Sequence, residues 1–104
     1  AAGTLRHRLV DTVTIGADPN VTSALCNSLG RLGAIESAPE LINLLSDKSA
    51  TVRAAAVRAL GRLRLKQPLE KLVDLAENDS AASVRLAARA AVLLITRAGT
   101  AQTG

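Results

Sequence analysis

A repeat of 31 residues is the feature that most limits how this chain can fold. The string LGRL occupies residues 29–32 and occurs again at residues 60–63. The same offset relates apolar positions along most of the chain, and one additional residue near Ala81 shifts the last unit to an offset of 32. Self-similar units of this length stack on their neighbours and share a continuous core. The three units cover about residues 4–33, 34–64 and 65–97.

Each unit is predicted to be a pair of α-helices. In the second helix of unit two, apolar residues follow the i, i+3, i+4, i+7 spacing of a single helix face. This stripe consists of Val52, Ala55, Ala56, Ala59, Leu60 and Leu63. Similar stripes run from Val21 to Leu32 and from Val84 to Ile95. Shorter first helices are expected at about residues 4–15, 38–46 and 68–77.

These helices predict an all-α fold, a right-handed α-solenoid of three stacked hairpins with about six helices. Gly33 directly follows a second helix and is expected to cap its C-terminus. We expect one domain over residues 1–97 and a flexible C-terminal tail over residues 98–104. The first residue is Ala rather than Met, which suggests a domain excised from a larger protein.

The best-preserved unit resembles the short, Ala-rich HEAT-like repeat of the phycobilin lyase type. Its pattern is a helix, a turn with an aspartate, Val-Arg, paired alanines, Ala-Leu-Gly and a closing Leu. The matching positions are Asp47, Val52, Arg53, Ala55, Ala56, Ala59, Leu60, Gly61 and Leu63. Unit three departs from the pattern with Val92-Leu93 in place of Leu-Gly, and unit one has Thr22 in place of the arginine. The resemblance implies a helical scaffold and, more remotely, a subunit similar to a bilin lyase.

The composition excludes several classes of function. Phe, Tyr, Trp and Met are absent, so the chain has no aromatic platform on which bases could stack. With one Cys and one His it has neither a disulfide framework nor a metal-ligand cluster. His7 is expected on the surface, Cys26 as a half-buried apolar residue, and no serine has the partners of a catalytic triad. We therefore expect no enzyme activity, no metal and no cofactor.

Basic residues concentrate in the second half of the chain. Residues 1–50 hold four basic and five acidic groups, whereas residues 51–104 hold nine basic and four acidic groups. On a helical wheel of ~100° per residue, Arg53, Val57 and Arg64 share one side of a second helix. Thr22 and Cys26 take that side in unit one, and Arg85 and Arg89 take it in unit three. Stacking would align a column that is neutral in unit one and basic in the next two.

This column, together with Arg58 further round the helix, is the candidate partner-binding face. The residues predicted to bind are Arg53, Arg58, Arg64, Arg85 and Arg89. In repeats of this kind the arginine after the core valine often bonds to the acid in the turn. Arg53 and Arg85 are therefore expected to bond to Asp47 or Asp79, and both can also contact a partner because a guanidinium has several donors. The first helices carry much of the acid, so the opposite face is expected to be acidic or mixed.

Two leucines mark a second candidate surface. Leu86 and Leu93 stand at the positions of Ala54 and Gly61, opposite the apolar stripe of the second helix. A terminal repeat normally presents a polar outer face. We therefore predict that Leu86 and Leu93 form an association surface, covered by more of the parent protein, by a partner helix or by a second copy.

The function predicted from these observations is a non-catalytic protein-interaction scaffold that binds an acidic surface or peptide. Sequence-independent binding of nucleic acid by the same arginines is the alternative, because phosphate contacts need only basic groups. It is the weaker one, since a net charge of +4 is modest. The low cysteine content and the lack of a secretory signal favour an intracellular, cytoplasmic location. No apolar run approaches the ~20 residues that span a membrane.

Overall fold

A computed structural model describes residues 18–103 of the chain. In this range the chain forms five α-helices and one short 3₁₀ helix, without a strand. The elements are α1 (Pro19–Leu32), the 3₁₀ helix (Ile35–Ser37), α2 (Ala38–Leu44), α3 (Ala50–Leu63), α4 (Leu69–Asn78) and α5 (Ala82–Thr103). The all-α prediction is confirmed. The predicted first helix at residues 4–15, with His7, lies outside the described residues.

The helices form a stack of hairpins. The second helices α1, α3 and α5 pack side by side, with α3 in the middle. The first helices lie to one side of them, with α2 against α3 and α4 against α5. This arrangement is that of an α-solenoid, in which each unit contacts its neighbours along the chain.

Two glycines allow the second helices to touch backbone to backbone. A Cβ atom added to Gly30 would lie 2.9 Å from Cα of Ala59, and one added to Gly61 would lie 2.9 Å from Cβ of Ala91. No side chain fits at such distances. The repeated glycine and the alanine opposite it therefore set the close spacing of α1, α3 and α5.

The predicted core stripe of unit two is buried, since Val52, Ala55 and Leu60 are at most 2% exposed. Unit one differs from the prediction, because Val21 and Leu32 are 48% and 52% exposed. Both belong to the apolar stripe of α1, whose counterparts in α3, Val52 and Leu63, are buried and half-buried. Among the described helices none precedes α1, so this side has no described helix against it.

The helix ends explain where the turns fall. The Asp18 carboxylate accepts a hydrogen bond from Asn20 N–H at the start of α1, and Ser49 Oγ accepts one from Val52 N–H at the start of α3. Gly33 ends α1 in the left-handed conformation, as expected. At its C-terminus the chain remains helical to Thr103, in the segment where the sequence predicted a tail.

Candidate functional site

One arginine joins two successive turns of the stack. Nε and Nη2 of Arg53 donate to the two carboxylate oxygens of Asp79 at 3.0 and 3.2 Å, and Nη1 donates to the backbone carbonyl of Asp47 at 2.7 Å. The predicted bond between this arginine and a turn acid is thus present. The carboxylate comes from the following unit, whereas Asp47 supplies only its carbonyl. Such bidentate pairs fix geometry as well as contributing energy.

Asp79 has a second task in its own turn. Its Oδ2 accepts a hydrogen bond from Ala81 N–H at 2.9 Å, which orders the entry into α5. Burial by itself raises the pKa of the Asp79 carboxyl. The hydrogen bonds from Ala81 and Arg53 and the charges of Arg53 and Arg85 outweigh it, so the pKa lies below its ordinary value.

Arg85 repeats half of this arrangement. Its Nη1 donates to the backbone carbonyl of Asp79 at 2.6 Å, as Nη1 of Arg53 does to Asp47. Within the described residues no carboxylate meets Nε and Nη2 of Arg85, because the described elements include no turn beyond α5. Arg85 is half-buried and therefore keeps two donors available at the end of the stack.

The basic column was predicted as a surface, but part of it lies between the second helices. Val57, Cys26 and Thr22, which share the wheel position of the arginines, are at most 5% exposed. This side of each second helix packs against the next second helix, as the contacts of Gly30 and Gly61 indicate. The middle of the column in units one and two is therefore an interface between units, and among the described residues of the column only Arg64 and Arg89 are exposed.

The outer side of α5 and the neighbouring part of α4 form the open end of the described stack, and two large apolar side chains are exposed on it. Leu86 and Leu93 on α5 are 64% and 63% exposed, as the wheel predicted, whereas Ala54 at the equivalent position of α3 is only 4% exposed. An open groove of about 400 Å³ lies beside them between α4 and α5. Its lining residues are Val73, Ala76, Glu77, Arg89, Val92 and Leu93.

The sequence analysis did not find this groove. Val73 and Ala76 belong to a first helix, and their approach to Val92 depends on how α4 packs on α5. The available signal was the alignment of units, which places Ala76 where unit two has the larger Leu45.

The model for HEAT repeats matches residues 7–92. The chain belongs to the HEAT repeat family. The match includes part of each predicted unit and agrees with the stacked hairpins. It does not distinguish the phycobilin lyase type, which stays a prediction from the resemblance. No curated protein matches the chain.

HEAT repeats generally act as scaffolds for protein interactions and are generally not catalytic. The side chains described here give the HEAT repeat stack exposed arginines at Arg58, Arg64 and Arg89. Arg64 also ends α3 in the left-handed conformation with φ 56°. No helix among the described residues is long and apolar enough to cross a membrane.

The cysteine of the HEAT repeat stack is buried rather than half-buried. Cys26 is 0% exposed in the α1–α3 interface. Burial raises the pKa of its thiol to about 12, and the negative charge of Asp47 adds to the effect. A thiol in such surroundings stays protonated and is a poor nucleophile. The described residues contain no group of His, Cys, Asp and Glu that could hold a metal ion.

Proposed function

We propose that this HEAT repeat stack is a non-catalytic protein-binding module that recognises an acidic partner surface or peptide. The proposal rests on the exposure of three arginines and on their lack of acidic partners within the described part of the chain. Arg58, Arg64 and Arg89 are exposed, and none of them forms an ion pair within the described part of the chain. Carboxylates of a partner are the groups that guanidinium ions bind with two parallel hydrogen bonds.

The five arginines of the predicted face do not contribute equally to this proposal. Arg53 is committed to Asp79 and Asp47, so its role is to hold successive units together. Arg85 uses one donor for the backbone carbonyl of Asp79 and can offer its other donors to a partner. The binding of an acidic partner thus rests on Arg58, Arg64 and Arg89, with Arg85 at the edge.

A protein partner is favoured over nucleic acid. The chain contains no aromatic residue, so bases have no ring on which to stack. The basic stretch from Arg53 to Lys66 includes one arginine that is neutralised within the fold, which lowers the charge that a phosphate backbone would meet.

The test is the binding of two labelled probes to the full chain, measured by fluorescence anisotropy. The probes are a polyglutamate peptide and a duplex DNA of random sequence. We expect the peptide to bind and the double variant Arg58→Glu with Arg89→Glu to weaken its binding by about tenfold or more. Exposed charges contribute little to stability, so the variant should melt close to the wild type.

Arg31→Glu with Lys48→Glu is the matched control, since it reverses two exposed charges in the first half of the chain. It should bind the peptide nearly as well as the wild type. Equal loss in the control and the double variant would show a general charge effect and contradict the proposed site. Tighter, steeply salt-dependent binding of DNA would favour the nucleic-acid alternative.

A further inference from the structure

The open end of the stack is the surface that the next unit covers elsewhere in the molecule. In unit two the equivalent surface lies on α2 and α3, where Leu45, Val57 and Leu60 are at most 1% exposed. The contact of Gly61 with Ala91 shows that the covering element is the helix α5. The corresponding surface of unit three is therefore built to receive a helix.

The shape of this surface is changed in a specific way. Ala76 replaces Leu45, which opens the hollow between Val73 and Val92 on the side of α4. Leu93 replaces Gly61, which raises a ridge on the side of α5. The groove of about 400 Å³ lies between the hollow and the ridge.

The ridge excludes a further unit in the geometry of the first three. At Gly61 even a single Cβ atom would lie 3.0 Å from Cα of Ala91. A leucine at the equivalent position keeps any helix farther away than α5 is from α3. The occupant must lie at this larger distance and fill the hollow with a large apolar side chain of its own.

The charges of the surface indicate which edge of the occupant is acidic. No carboxylate of the described residues binds Nε and Nη2 of Arg85, which could therefore bind one from a partner in the way that those of Arg53 bind Asp79. Arg89 is exposed beside them, whereas the α4 side of the groove carries Glu77. Carboxylates of an occupant would therefore be attracted to the arginines of α5 and repelled by Glu77 of α4.

A second copy of the chain that pairs through α5 does not satisfy these conditions. In an antiparallel pair of α5 helices, Leu86 of one copy would meet Leu93 of the other. The centre of that interface would lie next to Arg89. The two Arg89 side chains would then be neighbours, and like charges at the centre of an apolar interface oppose association.

We propose that the open end, formed by α4 and the outer side of α5, binds an amphipathic helix of a protein partner. The helix inserts an apolar side chain between Val73 and Val92, packs against Leu86 and Leu93, and directs its carboxylates to Arg85 and Arg89. This inference rests on the proposed function, because it names the partner class and the place of binding for the same acidic recognition.

The experiment uses three synthetic helical peptides and the full chain, with anisotropy as the readout. The first peptide has leucines along one face and glutamates along one edge of that face. In the second the leucines are serines, and in the third the glutamates are lysines. We expect the first peptide to bind at least about tenfold more tightly than either of the others, because both halves of the surface are then used.

Two variants locate the site. Leu86→Gln with Leu93→Gln makes the ridge polar at nearly the same size, and Ala76→Leu fills the hollow with the residue that unit two carries there. Each should weaken the first peptide by about tenfold or more. Leu32→Gln, an exposed leucine on α1, is the control and should bind like the wild type. Thermal unfolding by circular dichroism checks that all variants fold.

The outcomes separate the two proposals. If the first peptide binds and the loss appears with Arg58→Glu but not with the leucine or Ala76 variants, acidic recognition survives and the helix site is wrong. If no acidic peptide binds, both proposals fail. If the wild type sediments as a dimer that Leu86→Gln with Leu93→Gln dissociates, the surface serves self-association and the helix proposal is overturned.

Discussion

The side of each second helix that faces the next unit has the same place in the repeat on α3 and α5. On the two helices it differs in the size, the charge and the exposure of its residues. On α3 this side consists of Ala54, Val57 and Gly61, all buried beneath α5. On α5 the equivalent residues are Leu86, Arg89 and Leu93, all exposed. Small residues mark a side that meets another helix at close distance, and large or charged ones mark a side that does not. The comparison shows that the two helices differ mainly on the side that faces the next described helix, whereas the core stripe stays apolar in both, with Leu60 and Leu63 replaced by Val92 and Ile95.

The largest effect on stability is expected when the leucine of α5 is placed at the equivalent position of α3. Gly61→Leu places a side chain where even Cβ is 2.9 Å from Cβ of Ala91. Because the obstacle includes backbone, we expect a loss of about 3 kcal/mol or more in the free energy of unfolding. Urea unfolding followed by circular dichroism measures it. The reciprocal variant Leu93→Ala should change stability by less than about 1 kcal/mol, since the side chain is exposed. Equal costs for the two variants would show that the two sides are not different in packing.

A smaller effect is expected from the turn between α4 and α5, where Asp79 accepts hydrogen bonds from Arg53 of α3. Asp79→Asn removes the charge that Arg53 binds and should cost about 1–3 kcal/mol. The native pKa of Asp79 is lowered, so its stabilising effect is complete above the ordinary pKa of an aspartate and is lost as the pH falls through the native value. The melting temperature of the wild type should thus drop more steeply below about pH 4 than that of Asp79→Asn.

Asp47→Asn is the matched control for that measurement. Its carboxylate accepts from Ser49 N–H, and no arginine side chain donates to it within the described residues. The control should cost less than Asp79→Asn at neutral pH. Parallel pH profiles for the wild type and Asp79→Asn would rule out the Arg53 pair as a source of acid sensitivity.

The smallest effect concerns the C-termini of α1 and α3. Gly33 and Arg64 occupy equivalent positions and both adopt positive φ, at 69° and 56°. Arg64→Gly should stabilise the fold by about 0.5–1 kcal/mol, because glycine adopts this conformation without steric cost. Gly33→Arg should destabilise it by a similar amount, and no atom lies within 4 Å of the added Cβ, so the cost is conformational only. Differences in melting temperature of the two variants from the wild type should have opposite signs.

The periodicity of the sequence predicted most of the fold. The 31-residue offset and the helical spacing placed the described helices within a few residues, and the Asp79 turn and the Gly33 cap followed from local rules. The wheel failed at Val57 and Cys26, because it shows which residues share a side but not which neighbour that side meets. The groove was missed for the same reason, since its hollow arises from the pairing of α4 with α5.

The hydrogen bonds of Arg53 to Asp79 and Asp47 have a consequence for the cooperativity of the stack. In a linear array, cooperativity is set by the coupling between adjacent units. The boundary between units two and three carries the ionic link from Arg53 to Asp79. At the preceding boundary the equivalent of the arginine is Thr22, whose short side chain cannot span two turns. Among the described residues, only the boundary between units two and three has such an ionic link, so the orientation of the last two hairpins is fixed by a bidentate charge pair as well as by helix packing.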